Sequence, residues 1–309
     1  MRFVFTIAIF LILLAGATAQ QVEQFTQQAF GHFQFNPAAT GKHKEALLLF
    51  KYRRQWVGAF NGQEPSTQIL RYQTRLPNFK NIGIGAGIVN DKTGPTSRTA
   101  IELAYSYRLK FKENGANVSF GLSGMLMQYR ININELTTTD IDPSLPDAVA
   151  DNKKLGADLN AGVYIYDKKY YIGLSVMQLF KNKFVFNNDT VGVSLARHTY
   201  VIVGYEYDLA NKFELEPSIL IKKVAATTAQ FDLNVRLIYD KDYWFGLNYR
   251  TSDAVSIYAG FTYNKSWHFG YGYDITTSKI QDLSNGAHEL LVAYSFGKND
   301  QLKTPSNTN

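Results

Sequence analysis

The sequence predicts an all-β protein, a transmembrane antiparallel β-barrel of about 14 strands of the outer-membrane type. Three observations lead there. The first is faultless alternation: in KLGADLNAGVYIY, Leu155, Ala157, Leu159, Ala161, Val163 and Ile165 face one way, while Gly156, Asp158, Asn160, Gly162, Tyr164 and Tyr166 face the other. The second is that the apolar stripes carry no charge and gather Tyr or Phe at their ends, as a lipid belt with aromatic girdles requires. The third is that loop length sorts by parity. PNFK, KENG, DKK, DLAN, DKD and NK are tight, while the alternate set runs up to INELTTTDIDPSLPDAVADN. A soluble sandwich, the competing reading of the same alternation, has no reason to sort its loops this way.

The elements follow in order. Arg2, the apolar run FVFTIAIFLILLAG and Ala17-Thr18-Ala19 read as a secretory signal, so residues 1–19 are expected to be cleaved and the mature chain to begin at Gln20. Residues 20–44, rich in Gln and Phe and without a period of two, form a periplasmic or lumenal lead-in that ends near Asn36-Pro37. Residues 45–297 form the barrel, with strands expected near 45–56, 66–76, 81–90, 97–111, 116–130, 154–167, 169–179, 196–207, 212–223, 228–239, 242–250, 254–263, 266–275 and 287–297. The lipid stripes include Ile101 to Leu109, Val118 to Leu126, Phe231 to Tyr239 and Val255 to Tyr263, read at every second residue. Arg54 is the main misfit, placed to snorkel beside Trp56. Residues 298–309 make a polar tail, expected to be disordered in the periplasm. Localisation in the outer membrane, against its lipid, follows from the signal and the barrel together.

Composition narrows the function. The chain has 45% hydrophobic and 19% charged residues and no Cys, which removes disulfides, thiolate metal sites, a cysteine nucleophile and a lipoprotein anchor. The formal charge of +6 is spread without a basic run, so no nucleic-acid partner is expected. GIGAGI lies within a strand and opens no helix, so it is no dinucleotide fingerprint. The five histidines lack ligand spacing. No catalytic constellation, cofactor or metal is expected.

The polar faces give the lumen. Lys51, Arg53, Arg71, Arg75, Arg108, Lys222, Arg236 and Arg250 meet Glu102, Asp158, Glu206, Glu214, Glu216, Asp232, Asp274 and Glu289. Such balance suggests cross-lumen pairs and a mostly closed interior; a water-filled channel with solvated charges is the other reading. Glycines such as Gly83, Gly85, Gly121, Gly156 and Gly162 also face inward, either bending the sheet or admitting a packed segment. The candidates for that segment are the lead-in and the long loop after Tyr129.

A set of motifs, in order along the mature chain, resembles the PorP/SprF family, outer-membrane components of the type IX secretion and gliding machinery of Bacteroidota. Asn36-Pro37-Ala38 with Gly41 is similar to the family's NPA…G, and Arg53-Arg54-Gln55-Trp56 to its R-x-QW. Tyr249-Arg250 resembles G-x-x-YR. Tyr273-Asp274-Ile275-Thr276 with Gly286-Ala287-His288-Glu289 resembles its YD-I-T…G-x-HE. The resemblance implies no enzyme. It implies a barrel that supports export or surface attachment of adhesins and other cargo with a C-terminal sorting domain, working with periplasmic machinery components. A passive transporter of small polar or hydrophobic solutes is the alternative.

Physical roles attach to these residues. Asn36-Pro37 would fix the approach to the first strand, Trp56 would sit at the outer interface, and Asp274 and Glu289 would face the lumen. His288 would take the lipid-face register near the outer rim. Barrel stability and assembly is the favoured role for the set, over contact with a partner. Apolar residues in the long loops, Ile141, Leu145, Val149, Phe184, Val185 and Phe186, are candidate partner-binding positions, or else a lid folded over the mouth.

Overall fold

The computed structural model describes residues 23–43, 45–111, 115–132, 153–186, 191–224 and 227–296. The expected signal, the C-terminal tail, and Ile141, Leu145 and Val149 lie outside them.

The wall opens with β1 (Ala46–Arg54), β2 (Ser66–Arg75), β3 (Ile82–Thr93), β4 (Thr96–Lys110), β5 (Asn117–Ile131), β6 (Lys153–Tyr166) and β7 (Tyr170–Met177). A small hairpin, β8 (Lys183–Phe186) and β9 (Val191–Ser194), then leaves the wall. The wall resumes with β10 (His198–Tyr205) and its short continuation β11 (Tyr207–Asp208), followed by β12 (Phe213–Val224), β13 (Gln230–Tyr239), β14 (Tyr243–Arg250), β15 (Ala254–Tyr263), β16 (Trp267–Thr276) and β17 (Ala287–Phe296). With β10 and β11 counted as one, these make a closed antiparallel barrel of 14 strands. Closure comes from β1 against β17, from Ala46 opposite Phe296 to Arg54 opposite His288. Every backbone group of a lipid-facing wall needs a partner within the protein, and only a closed sheet provides this.

The strand faces sort as the alternation requires. Ile101, Leu103, Leu122, Leu126 and Leu155 are exposed on the outside, Leu155 by 80%. Their lumenal neighbours Glu102, Ser123 and Asp158 are buried. Such apolar exposure suits hydrocarbon and not water. No helix among the described residues is long and apolar enough to cross a membrane. Both ends of the wall, Ala46 and Phe296, lie at the short-turn rim, which is therefore the periplasmic one.

One outer loop is shorter than the sequence suggests. β3 and β4 continue to Thr93 opposite Thr96, leaving only Gly94-Pro95 as the turn. Gly94 supplies the positive φ, 55°, that the tight reversal demands. At ~3.4 Å per residue, β4 and β5, each of 15 residues, exceed a hydrocarbon core that needs ~9–11 tilted residues. Their outer ends therefore stand clear of the membrane.

Arg54, the misfit of the lipid stripe, donates to Glu64 at 2.7 Å at the outer rim. Glu64 also accepts from the amides of Gly58 and Gly62. The Arg54 bond, then the backbone bonds, pull the Glu64 carboxyl down to about 2. The loop is further clipped to the last one by Val57 N–H to Gly286 O and Asn285 N–H to Val57 O.

Candidate functional site

The lead-in runs through the lumen. Its outer end is near Glu23, which pairs with Arg98 at the outer end of β4. Its inner end is at Thr40, whose carbonyl accepts from Ser106 Oγ at 2.7 Å near the inner end of β4. Between them lie two single-turn 3-10 helices, His32–Gln34 and Pro37–Ala39. The aromatic residues that gave this stretch no strand period are its packing surface. Phe25, Phe30, Phe33 and Phe35 are all at least 95% buried. Phe30 packs on Trp244 at 4.7 Å, and Phe35 on Tyr200 at 5.5 Å. The segment is a plug.

The plug is anchored where the motifs converge. Glu289 takes the amides of Thr26 and Gln27 at 2.6 and 3.0 Å, one on each carboxylate oxygen. Asp274 accepts from Thr26 Oγ1 at 2.5 Å and from Arg53 Nη2 at 2.6 Å. Arg53 Nη1 donates to the same Thr26 Oγ1 at 2.9 Å and lies 3.6 Å from Glu289. Arg250 pairs with Asp232 and Asp253 at 3.0 Å and with Asp274 at 3.4 Å, and reaches the carbonyl of Phe25. Lys51 Nζ donates to the carbonyl of Gln27 at 2.7 Å. Arg53, Asp274, Arg250 and Glu289 are each no more than 1% exposed. A charge buried this deeply is tolerated only when paired and hydrogen-bonded. Here the pairing is completed by the plug's own backbone and Thr26.

A second tie lies deeper. Asn36 Oδ1 accepts from Ala38 N–H and caps the second 3-10 turn, while its Nδ2 donates to the carbonyls of Val163 and Leu174 on β6 and β7. Pro37 occupies the first position of that turn, where a missing N–H costs nothing. Asn36 thus fixes the plug to the wall, not the approach to β1. Gly41, at φ 64°, makes the turn towards β1. A Cβ there would meet Gly83 Cα at 2.7 Å.

Several lumenal glycines answer to the plug. A Cβ on Gly121 would lie 2.2 Å from Ala38 N, on Gly162 2.1 Å from Asn36 Oδ1, and on Gly83 2.3 Å from the Thr40 carbonyl. Others make room for wall aromatics instead: Gly246 lies under Tyr258 and Gly260 under Trp244. The expected cross-lumen pairs need correction: among the described residues the wall's own ion pairs run between near-neighbour strands, and Arg98 pairs with Glu23 of the plug. Arg71 with Glu102 at 2.6 Å and Arg236 with Glu216 are further pairs within the wall.

The outer mouth is covered by the β8–β9 hairpin. Phe184 and Phe186 are 3% and 5% exposed, and Phe184 stacks on Tyr129 at 5.5 Å. Phe25 of the plug belongs to the same cluster. Of the two readings of Phe184 and Phe186, partner contact or lid, their burial favours the lid: the rings pack into the lumen, and Val185 between them is half-buried. A Cβ at Gly156 would meet the Phe184 ring at 2.8 Å.

The remaining motif residues sit on the outer rim. Gln55 N–H donates to the carbonyl of Pro65. Trp56 is half-buried at φ 51°, a strained value for a bulky residue, with its ring 6.2 Å from Phe60. His288 faces outward, its Nδ1 2.6 Å from Tyr271 OH. Sequence reasoning placed Arg53, Arg250, Asp274 and Glu289 in the lumen but missed Thr26 and Gln27, which they hold. No period or motif marks that pair.

A family model described as type IX secretion system membrane protein PorP/SprF matches residues 17–294. No curated protein matches closely enough to count. Among solved structures, the chain is similar to the CymD monoaromatic hydrocarbon channel, with 11% identity, TM-score 0.54, and 87% of this chain and 93% of that one covered. It is also similar to the toluene transporter TbuX of Ralstonia pickettii, with 9% identity, TM-score 0.49, and coverage of 84% and 91%. At 11% identity the likeness to CymD speaks for the barrel fold alone.

Proposed function

Because this chain belongs to the PorP/SprF family of type IX secretion system membrane proteins, we propose that it serves that machinery without catalysis, as a sealed outer-membrane scaffold for export or surface attachment of cargo with a C-terminal sorting domain. The observation that carries this reading is the plug. Its backbone is held by Glu289, its Thr26 by Arg53 and Asp274, and its outer end lies beneath the lid. A barrel filled by its own chain offers its rims rather than its lumen. The outer rim would meet cargo, with the β5–β6 connection carrying Ile141, Leu145 and Val149 as the contact. The periplasmic turns would meet other machinery components. Asn36, Arg53, Arg250, Asp274 and Glu289 then act by holding the scaffold in one sealed form.

The test is surface proteomics of cells lacking the gene, with and without the restored gene. Loss from the surface of one or more proteins with a C-terminal sorting domain, recovered on restoration, supports the reading. Normal display together with slower uptake of a small solute would replace it with the transporter reading.

A further inference from the structure

We propose a divalent-cation site at the periplasmic rim, formed by Glu206, Asp208 and Glu214, with Ca²⁺ as the fitting ion. One carboxylate oxygen from each can be chosen so that all lie within 4.8 Å of one another. Two oxygens bound to one Ca²⁺ at ~2.3–2.6 Å stand at most about 5 Å apart, so this spacing suits a single ion. The donors are all oxygen, which selects a hard cation over a thiolate- or imidazole-seeking metal.

Proximity alone would not make a site. Two further observations point to a ligand. First, Glu206 and Glu214 are 2% and 8% exposed, yet Glu206 Oε2 and Glu214 Oε2 receive no donor from any other residue, and the two carboxyls stand within hydrogen-bond reach of each other, an arrangement that only a bound cation or a shared proton can satisfy. A carboxylate oxygen left bare in a buried place is costly unless a cation or proton satisfies it. Second, the register sets acid against acid. Asp208 lies directly opposite Glu214. Glu206 falls in the break between Gly204 opposite Ser218 and Tyr207 opposite Leu215, where the facing residues are Glu216 and Pro217. Like charges opposite one another destabilise a strand pair, and Pro217 brings no N–H to the ladder.

The protein's own cations do not cover the two bare oxygens. Arg236 and Tyr171 OH engage Glu216, and Lys169 engages Asp208. Lys241 stands 3.8 Å from Glu214 Oε1, on the other oxygen. Lys42 of the plug faces Glu206 and Glu216 only electrostatically. A bound cation would tie β11 to β12 beside the point where Pro217 interrupts the ladder.

Terbium luminescence tests this on the full mature protein, folded in detergent and stripped with EDTA. The rings of Tyr205 and Tyr207, 4.4 Å apart beside the site, serve as sensitisers. The expected result is saturable Tb³⁺ emission displaced by Ca²⁺, weakened at least about tenfold in Glu206→Gln and in Glu214→Gln. Asp282→Asn, at the outer rim, should bind as the wild type does. Ca²⁺ should also raise the unfolding temperature of the wild type over EDTA, and not that of the variants. Asp208→Asn, an exposed position, carries the test if the glutamate variants do not fold. Unsaturable emission, equal affinity in the variants, or identical wild-type stability in Ca²⁺ and EDTA would overturn the site and leave a proton shared by the two glutamates.

Discussion

Glu289 and Thr26 are 263 residues apart in sequence and 2.6 Å apart in the fold, the carboxylate of the last strand accepting the amide of the plug. With Arg53 and Asp274 this bond joins the first strand, the last two strands and the lead-in into one buried charge cluster. Removing one member of a buried pair leaves the other uncompensated, at about 3–5 kcal/mol. Arg53→Ala and Asp274→Asn should each lower barrel stability by roughly that amount, and the double variant by clearly less than the sum. Denaturant unfolding of the detergent-folded barrel measures all three; strict additivity would mean that the residues do not act together.

Glycine substitutions separate plug contacts from wall contacts. Gly121→Val places side-chain atoms where Ala38 N lies, 2.2 Å from the first of them. It should loosen the plug and expose residues 23–43 to protease while the barrel still shifts on unboiled gels. Gly124→Ala, whose nearest contact is Leu159 Cδ2 at 3.9 Å, should be silent. Equal protease resistance in both variants would count against plug contact at Gly121.

The outer loop should titrate in acid. Glu64 is held at about 2, below the ordinary carboxylate value, so its share of loop stability is complete above pH ~4.3 and lost as the pH falls from there towards 2. Trp56, in the same loop, should report this as a fluorescence change across that window. Glu64→Gln should abolish the change; its persistence in the variant would assign it to another group.

The lid is separable from the plug. Phe184→Ser with Phe186→Ser removes two buried rings, each worth roughly 3–5 kcal/mol on truncation. External protease should then cut within 180–197, while residues 23–43 stay protected, because the Glu289 and Asn36 anchors are untouched. Simultaneous loss of protection in both segments would mean that the shared Phe25 cluster holds the two together.

Much of the wall was legible because lipid imposes a rule on every second residue. Leu155 and Phe231 have to be apolar whatever their strand partners, so alternation located the 14 strands to within a few residues. Arg53 and Asp274 are legible as lumenal for the same reason. Their meeting was not legible, since it depends on β1 closing against β17 and on what fills the space between them. The tie that Asn36 makes to β6 and β7 is not legible because the plug has no period: its residues answer to surfaces all around them. Phe184 and Phe186 alternate as a strand does, but over four residues and towards the lumen, so the pattern was too short to tell a lid from a loop.

The central claim is that the chain plugs its own barrel, and single-channel recording in planar bilayers tests it most directly. The wild type should show no steady conductance. Deletion of 23–43 in a barrel that still shifts on unboiled gels should open a steady pore, raising conductance at least about tenfold. A large, steady wild-type conductance, or a deletion that leaves the bilayer as silent as the intact protein, would contradict it.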